Sequence, residues 1–299
     1  MQAASTCSAT RRALYSPFSY TVETTTRYAT SVSSPAALTT TYAPPFSHVS
    51  TLLPNNVRYT SYSLDRGLTT LHDGQYGQGA YARLWAPLRY NTTVPFTTTA
   101  SPTPVASSEL VYPPALYTPC PQNADACLDC YKLPSDFIWG VAGSAFQIEG
   151  GLTEDGRGPS ELDVFGSLPN DEDEANAEVA DMAYYLYKQD IARLAAIGVP
   201  YYSFSISWTR VVPFGEVGSP INTPGLEHYD DVIDTCLQHG IQPIVTLSHD
   251  DAPLNLTYLD SRFPEAFLYY AKQAMTRYSD RVSHWITLNG ILEQPKHRE

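Results

Sequence analysis

The chain has 299 residues, of which 43% are hydrophobic and 16% are charged, and its formal net charge is −13. That length suits one large domain or two smaller ones. The charge is uneven: residues 1–132 carry 6 acidic and 8 basic side chains (+2), and residues 133–299 carry 25 acidic and 10 basic ones (−15). An acidic domain repels phosphate backbones, so nucleic acid is not an expected partner. No run of 18 apolar residues is present, so no membrane-spanning helix is predicted.

The first 132 residues are rich in Thr, Ser, Pro and Tyr. This composition disfavours helices and buries little apolar surface. It predicts a low-complexity, largely irregular region that is mostly extended or disordered, in which closely spaced tyrosines could still support short β segments. Cys120, Cys127 and Cys130 lie close together near its end, and a local disulfide is favoured over a zinc site because no nearby His supplies a fourth ligand.

From residue 133 onward, apolar strands and amphipathic helices are predicted to alternate. Helix 177–197 has apolar residues at helical spacing and stops before Gly198, and helix 226–239 lies between Pro224 and Gly240. In chain order, the predicted elements are strand 137–142, helix 177–197, strand 201–206, helix 226–239, strand 241–247, helix 264–278 and strand 282–288.

This alternation predicts an α/β fold with a parallel sheet, because strands that are apolar along their whole length are buried on both faces. Periodicity alone fits two architectures. One is a (β/α)8 barrel, whose functional sites lie at the carboxyl ends of the strands, and the other is an open doubly wound sheet.

Three segments decide between these architectures by resemblance. They are FIWGVAGSAFQIEGG at 137–151 with DGRGPS at 155–160, YYSFSISWTRVVPFG at 201–215, and IVTLSHDDAP at 244–253. In this order they resemble the first half of a glycoside hydrolase family 1 enzyme of the β-glucosidase type. The resemblance covers roughly residues 133–289. It implies that residues 133–299 form a partial TIM barrel, truncated after about four βα units, behind the irregular N-terminal region.

The same resemblance implies an O-glycosyl hydrolase of carbohydrate metabolism that acts on a β-glucoside or oligosaccharide by a retaining mechanism. No metal or organic cofactor is implied, since that chemistry depends on carboxylates alone. The substrates of the family give a weak lean toward a secreted protein, although residues 1–20 lack the continuous apolar stretch of a signal peptide. The sequence does not predict an oligomeric state.

Three residues match the family's sugar-binding positions. Gln147 falls in the Gln-Ile-Glu-Gly motif after the first strand, His249 follows the third, and Asn289 ends the fourth. Amide side chains suit sugars because they offer both a donor and an acceptor to neighbouring hydroxyls. The plainer interpretations are a surface turn for Gln147 and a structural histidine for His249. Asp250 and Asp251 are disfavoured as catalytic carboxylates, because this strand does not carry that role in the family.

No catalytic residue is assigned. In the family, a Glu after the Asn of the fourth strand is the general acid/base, and this chain has Gly290 there. The family's nucleophile follows the seventh strand, and the sequence stops before a fifth. Because a retaining glycosidase needs two carboxyl groups, the chain as given is expected to be inactive. The alternatives are a non-catalytic glucoside-binding protein and a truncation product without a function of its own.

Overall fold

The computed structural model describes residues 27–28, 53, 56–64, 74–88, 99–100, 134, 136–167 and 177–290. The strands in these ranges are β1 Arg27–Tyr28, β2 Tyr59–Thr60, β3 Thr99–Ala100, β4 Val141–Gly143, β5 Tyr201–Ser205, β6 Ile221–Asn222, β7 Gln242–Ser248 and β8 His284–Leu288. The α-helices are α1 Gln78–Trp85, α2 Ala145–Ile148, α3 Ala183–Ala196, α4 Trp208–Val211, α5 Thr223–Gln238 and α6 Phe263–Tyr278. Glu154–Gly156 and Glu161–Ser167 form short 3₁₀ turns.

The predicted parallel sheet is confirmed. Its four strands lie in the order β4-β5-β7-β8, and every neighbouring pair is parallel. A parallel pair needs a crossover between its strands, and the helices that follow β4, β5 and β7 supply these crossovers. Consequently, the carboxyl ends of all four strands lie at one edge of the sheet. Two further pairs, β1 with β3 and β2 with β6, have two strands each.

The main core lies between the sheet and helices α5 and α6. The buried stripe of α5 contains Leu226, Tyr229, Ile233 and Cys236. The helix begins three residues earlier than predicted, with Pro224 in its first turn, where the missing N–H is not needed. Past its end, Gly240 adopts φ +74°, which favours glycine. The predictions for α5 and α6 are therefore confirmed to within a few residues.

Helix α3 is shorter than predicted, since it begins at Ala183 instead of residue 177. The chain around the start of α3 instead forms backbone hydrogen bonds with the loop after β4. The Glu178 carbonyl accepts the Gly151 N–H, and the Tyr184 N–H donates to the Glu149 carbonyl. Met182 adopts a left-handed φ of +56°, which a continuous helix does not allow. The predicted end is confirmed, with Gly198 at φ +78°.

Two predicted strands are longer than the observed ones by two residues or more, and strand 201–206 is longer by one. Strand 137–142 is reduced to β4 because its partner β5 begins only at Tyr201, and the ladder starts where Val141 pairs with Tyr202. Strand 282–288 loses two residues to a turn after α6, so that β8 begins at His284. None of the helices in the described ranges has the length and apolarity needed to cross a bilayer.

In the N-terminal region, the structure describes a helix that the composition did not predict. Helix α1 buries Tyr81 and Trp85, which form a cluster with Tyr62, Leu88 and Phe214. The local sequence QGAYARLW contains good helix formers, which the Thr- and Pro-rich average of the region hides. The prediction for the rest of residues 1–132, and the disulfide among Cys120, Cys127 and Cys130, lie outside the described residues.

Candidate functional site

The candidate site is the edge of the sheet where the four strands end. Residues 144–149 follow β4, residues 206–210 follow β5, residues 249–251 follow β7, and Asn289 follows β8. Because the strands are parallel, these four segments face the same side of the molecule. The three residues predicted to bind sugar all belong to them.

His249 and Asn289 are brought into contact. Asn289 Nδ2 lies 3.2 Å from His249 Nε2, across 40 residues of sequence. The Asn289 N–H also donates to the Ser248 carbonyl at 3.0 Å, which extends the ladder between β7 and β8. An amide nitrogen can only donate, so in this contact Asn289 Nδ2 is the donor and His249 Nε2 is the acceptor. Both side chains are partly exposed, and their remaining polar groups can meet a ligand from solvent.

Gln147 lies at the other end of the site. It is exposed within the short helix α2, and its Oε1 accepts a hydrogen bond from Ser144 Oγ at 2.7 Å. Since β5 separates β4 from β7, Gln147 is two strand spacings, roughly 10 Å, from His249. Among the hydrogen bonds of the described residues, none joins Gln147 to His249 or Asn289.

Asp251 supports the His249 turn. Its Oδ1 accepts the His249 N–H at 3.1 Å, and its Oδ2 is buried without a hydrogen-bond partner in the described part of the chain. Burial raises the pKa of this carboxyl to about 7, although the His249 N–H and Arg157 act in the opposite direction. Asp250 between them has φ +62°, a left-handed conformation that Asp tolerates better than most residues. The sequence analysis treated Asp251 only as a disfavoured catalyst. An Asp side chain can accept a hydrogen bond from a backbone N–H that is close in sequence. The position of Asp251, two residues after His249, was therefore a signal for this contact.

A buried charged cluster lies between the ends of β4 and β5, and the sequence analysis missed it. Glu149 Oε2 accepts from Arg210 Nε at 3.2 Å and Nη2 at 3.1 Å, and Glu149 Oε1 accepts from Tyr229 Oη at 2.6 Å. The Tyr229 hydroxyl in turn accepts the Ser207 N–H at 2.8 Å. The Tyr184 ring covers the guanidinium at 4.0 Å.

Electrostatics keep Arg210 charged. Burial alone would lower the pKa of Arg210, but the Glu149 carboxylate more than offsets that effect and raises it. Arg210 also donates to the Glu154, Gly150 and Gly151 carbonyls, at 3.3 to 3.5 Å. Every polar group of the pair is thereby used inside the protein, so we assign the cluster a structural role.

The position after Asn289 has no side chain. Gly290 is exposed and adopts φ +64°, a conformation that is strained for other residues. In the described ranges, no three His, Cys, Asp or Glu side chains are grouped so that they could hold a metal ion. What the edge offers is therefore the hydrogen-bonding groups of His249 and Asn289, with the buried Asp251 behind them.

Comparison with known proteins supports the resemblance seen in the sequence. The sequence model of Glycosyl hydrolase family 1 matches residues 130–297. Beta-glucosidase 1B of Phanerodontia chrysosporium is 42% identical over 165 residues, which are 53% of this chain and 31% of that protein. A cyanidin 3-O-glucoside 7-O-glucosyltransferase (acyl-glucose) of Delphinium grandiflorum is 40% identical over 161 residues, 52% of this chain and 32% of that protein.

Solved structures agree. Beta-glucosidase 2 from the fungus Trichoderma reesei, in complex with Tris, matches with a TM-score of 0.52 and 39% identity, over 55% of this chain and 36% of that one. The chain thus spans about a third of the length of the curated relatives that it matches. The family model matches more than half of the residues of this chain, and the chain therefore belongs to glycosyl hydrolase family 1.

Proposed function

We propose that the edge formed by Gln147, His249 and Asn289 binds the sugar ring of a β-glucoside or a related oligosaccharide. One observation carries this proposal: His249 and Asn289, from neighbouring strands, meet through a 3.2 Å contact while both stay partly exposed. An imidazole and an amide side chain carry hydrogen-bonding groups that suit adjacent hydroxyls. The names of the two relatives, a glucosidase and a glucosyltransferase, point to the same class of ligand.

We also propose that the four-stranded sheet corresponds to about four βα units of a (β/α)8 barrel. The strand order and the match to a solved family member support this assignment. In such a barrel, residues at the carboxyl ends of several strands converge on one site. Gln147, in helix α2 directly after β4, would then contact the same ring as His249 and Asn289 from its opposite side.

The reaction that this site serves is proposed to be retaining glucosyl transfer, with water or another hydroxyl as acceptor. Such chemistry uses two carboxyl groups about 5–5.5 Å apart, one as acid/base and one as nucleophile. Gly290 stands where the first would follow Asn289, and general acid help contributes roughly 10²–10⁴-fold. We therefore expect the 299-residue chain by itself to bind glucosides without cleaving them at a measurable rate.

The direct test is a calorimetric titration of the chain with methyl β-glucoside, beside an assay with 4-nitrophenyl β-glucoside. Saturable binding without release of nitrophenol is expected. His249→Ala should weaken binding by about 3- to 10-fold, the scale of one net hydrogen bond. Arg262→Ala is the control, because its pair with Asp260 is exposed and lies outside the candidate site.

Two results would contradict the proposal in different ways. Absence of saturable binding would remove the sugar site. Nitrophenol release that persists through purification and scales with protein concentration would refute the expected inactivity. A catalytic carboxylate would then have to be found in this chain.

A second candidate is a chain with no activity of its own. Exposed apolar side chains on the edge strands favour it, since Val141 on β4 and Ile286 on β8 are 36% and 41% exposed. Exposed strand edges promote association between chains. Analytical ultracentrifugation separates the candidates, because a binding protein should sediment as one defined species and a non-functional fragment should form a broad range of aggregates.

A further inference from the structure

Helix α1 lies outside the family match, yet its buried side chains contact a loop at the candidate edge. We propose that Tyr81 and Trp85 are positioning residues for His249. They hold residues 157–163, here called the Arg157 loop, and that loop is paired with the segment that follows His249. The effect on sugar affinity rests on the proposed function, whereas the effect on the loop does not.

The contact between α1 and the loop is made at one atom. Tyr81 Oη donates to the Arg157 carbonyl oxygen at 2.7 Å, and Trp85 Nε1 donates to the same oxygen at 3.0 Å. Two donors use both lone pairs of that carbonyl. Tyr81 is fully buried and Trp85 nearly so, so water does not readily replace either donor. Helix α1 thus holds the loop backbone at the Arg157 carbonyl, next to the Gly158 N–H, which donates to the Thr209 carbonyl at 2.9 Å.

The side chain of Arg157 closes the loop from within. Its guanidinium donates to Asp163 at 2.9 Å, to Ser160 Oγ at 3.2 Å and to Ser207 Oγ at 3.3 Å. The Asp163 carboxylate also accepts the Ser160 N–H at 2.6 Å. Arg157 is 1% exposed, and a buried charge that is paired in this way resists rearrangement. These bonds therefore tie Ser160 and Asp163 to Arg157, whose backbone carbonyl is held by α1.

The other face of the loop is paired with the residues after His249. The Glu161 N–H donates to the Ala252 carbonyl at 2.8 Å, and the Leu254 N–H donates to the Pro159 carbonyl at 3.1 Å. Ser160 and Pro253 form an antiparallel bridge between these bonds. Ala252 directly follows Asp251, whose carboxylate accepts the His249 N–H. Hydrogen bonds thus connect α1 to His249 through two short loops.

A second set of contacts anchors the N-terminal segment to the chain after β5. Strand β2 pairs with β6, and Tyr76 Oη donates to Glu216 Oε2 at 2.9 Å. The Tyr62 ring stacks on Tyr81 at 4.9 Å and packs edge-on against Phe214 at 5.6 Å. Since both sides of α1 are fixed, a change at Tyr81 or Trp85 should act on the loop instead of being absorbed by movement of the helix.

The test uses the full chain with Tyr81→Phe, which keeps the ring and deletes one donor. The matched control is Tyr278→Phe, because Tyr278 is also fully buried and also donates to a carbonyl, that of Leu226, at 2.8 Å. That bond joins α6 to α5 in the helical layer, outside the two loops. Trp85→Phe is a second variant that removes the other donor.

Amide hydrogen exchange of Glu161, Leu254 and His249 reports on each step of the connection. In Tyr81→Phe we expect all three to exchange about fivefold faster, the scale of one net hydrogen bond, and Trp85→Phe should act in the same direction. Tyr278→Phe should leave them unchanged. The affinity for methyl β-glucoside should fall by a similar factor in Tyr81→Phe and not in the control.

Each contrary outcome has its own meaning. If Glu161 and Leu254 respond but His249 does not, the positioning of His249 is refuted. If the control changes the three amides as much as Tyr81→Phe, the effect is general loss of stability and the proposal fails. If the wild-type chain binds no glucoside, the proposed function fails, while the exchange rates of the three amides still decide whether α1 positions His249.

Discussion

The edge of the sheet carries two clusters of polar residues that differ in how completely they are paired. Between β4 and β5, the Glu149–Arg210–Tyr229 cluster is buried and satisfies its polar atoms internally. Between β7 and β8, His249 and Asn289 are partly exposed and share a 3.2 Å contact, and one oxygen of Asp251 behind them has no hydrogen-bond partner among the residues that the structure describes. The same edge of one sheet thus has a part that holds the fold and a part that is open to a ligand.

The difference follows from the cost of desolvation. A buried charge is tolerated only when partners replace its water, and Arg210 has such partners in Glu149 and three carbonyl groups. Partly exposed polar groups incur little of that cost, because they keep contact with water. A complete set of internal bonds therefore indicates structure at this edge, and the partly exposed set is the one proposed to bind a sugar.

The largest effect is expected from Arg210→Met, which leaves the Glu149 carboxylate buried without its cation. Breaking a buried pair from one side costs about 3–5 kcal/mol of unfolding free energy. The measurement is the midpoint of urea unfolding. Arg262→Ala is the control, and because Arg262 and Asp260 form an exposed pair, its midpoint should stay close to that of the wild type. A small shift in Arg210→Met would show that the first cluster does not hold the fold.

Asp251→Asn should instead raise the free energy of unfolding, and the size of this increase should depend on pH. The pKa of Asp251 is raised from 3.8 to about 7, chiefly by burial, so the folded chain binds this proton more tightly than the unfolded chain does. The contribution of Asp251 to the free energy of unfolding should therefore fall as the pH rises from about 4 to 7, and its full cost should be present above pH 7. Asparagine keeps the acceptor for the His249 N–H and removes that charge.

We expect the free energy of unfolding of Asp251→Asn to exceed that of the wild type above pH 7 by on the order of a few kcal/mol. This difference should vanish near pH 4. Urea midpoints of both proteins at pH 4, 6 and 8 give the comparison, and other carboxyl groups cancel because both proteins contain them. Equal midpoints at pH 8 would mean that Asp251 has a partner, and the contrast between the two clusters would then be weaker.

The sequence predicted the parallel α/β sheet and the helices α5 and α6 well, because their apolar stripes and terminal Pro and Gly residues are local signals. It predicted the sugar-binding candidates only through family motifs. What it missed depends on contacts distant in sequence. Residues 177–182 do not join α3 because they hold the loop after β4, and the burial of Glu149 depends on Arg210, 61 residues away. No periodicity within either segment encodes such a pairing.

Helix α1 shows a second reason for a missed prediction. The average composition of residues 1–132 concealed an eight-residue segment that contains several good helix formers. The apolar surface that stabilises this helix comes from Tyr62, Leu152 and Phe214. A short helix is marginal alone and depends on such packing. Neither a window average nor the family motifs contain that information.

The smallest effect on stability is expected from Gln147→Ala, and it extends the contrast to the third proposed sugar ligand. Gln147 is exposed, and the bond that its Oε1 accepts from Ser144 Oγ is local, so the urea midpoint should hardly change. If Gln147 contacts the same ring as His249, affinity for methyl β-glucoside should still fall by about 3- to 10-fold. A loss of affinity without a loss of stability is the signature of the open part of the edge. Unchanged affinity would confine sugar binding to His249 and Asn289, and Gln147 would then be only an exposed residue of helix α2.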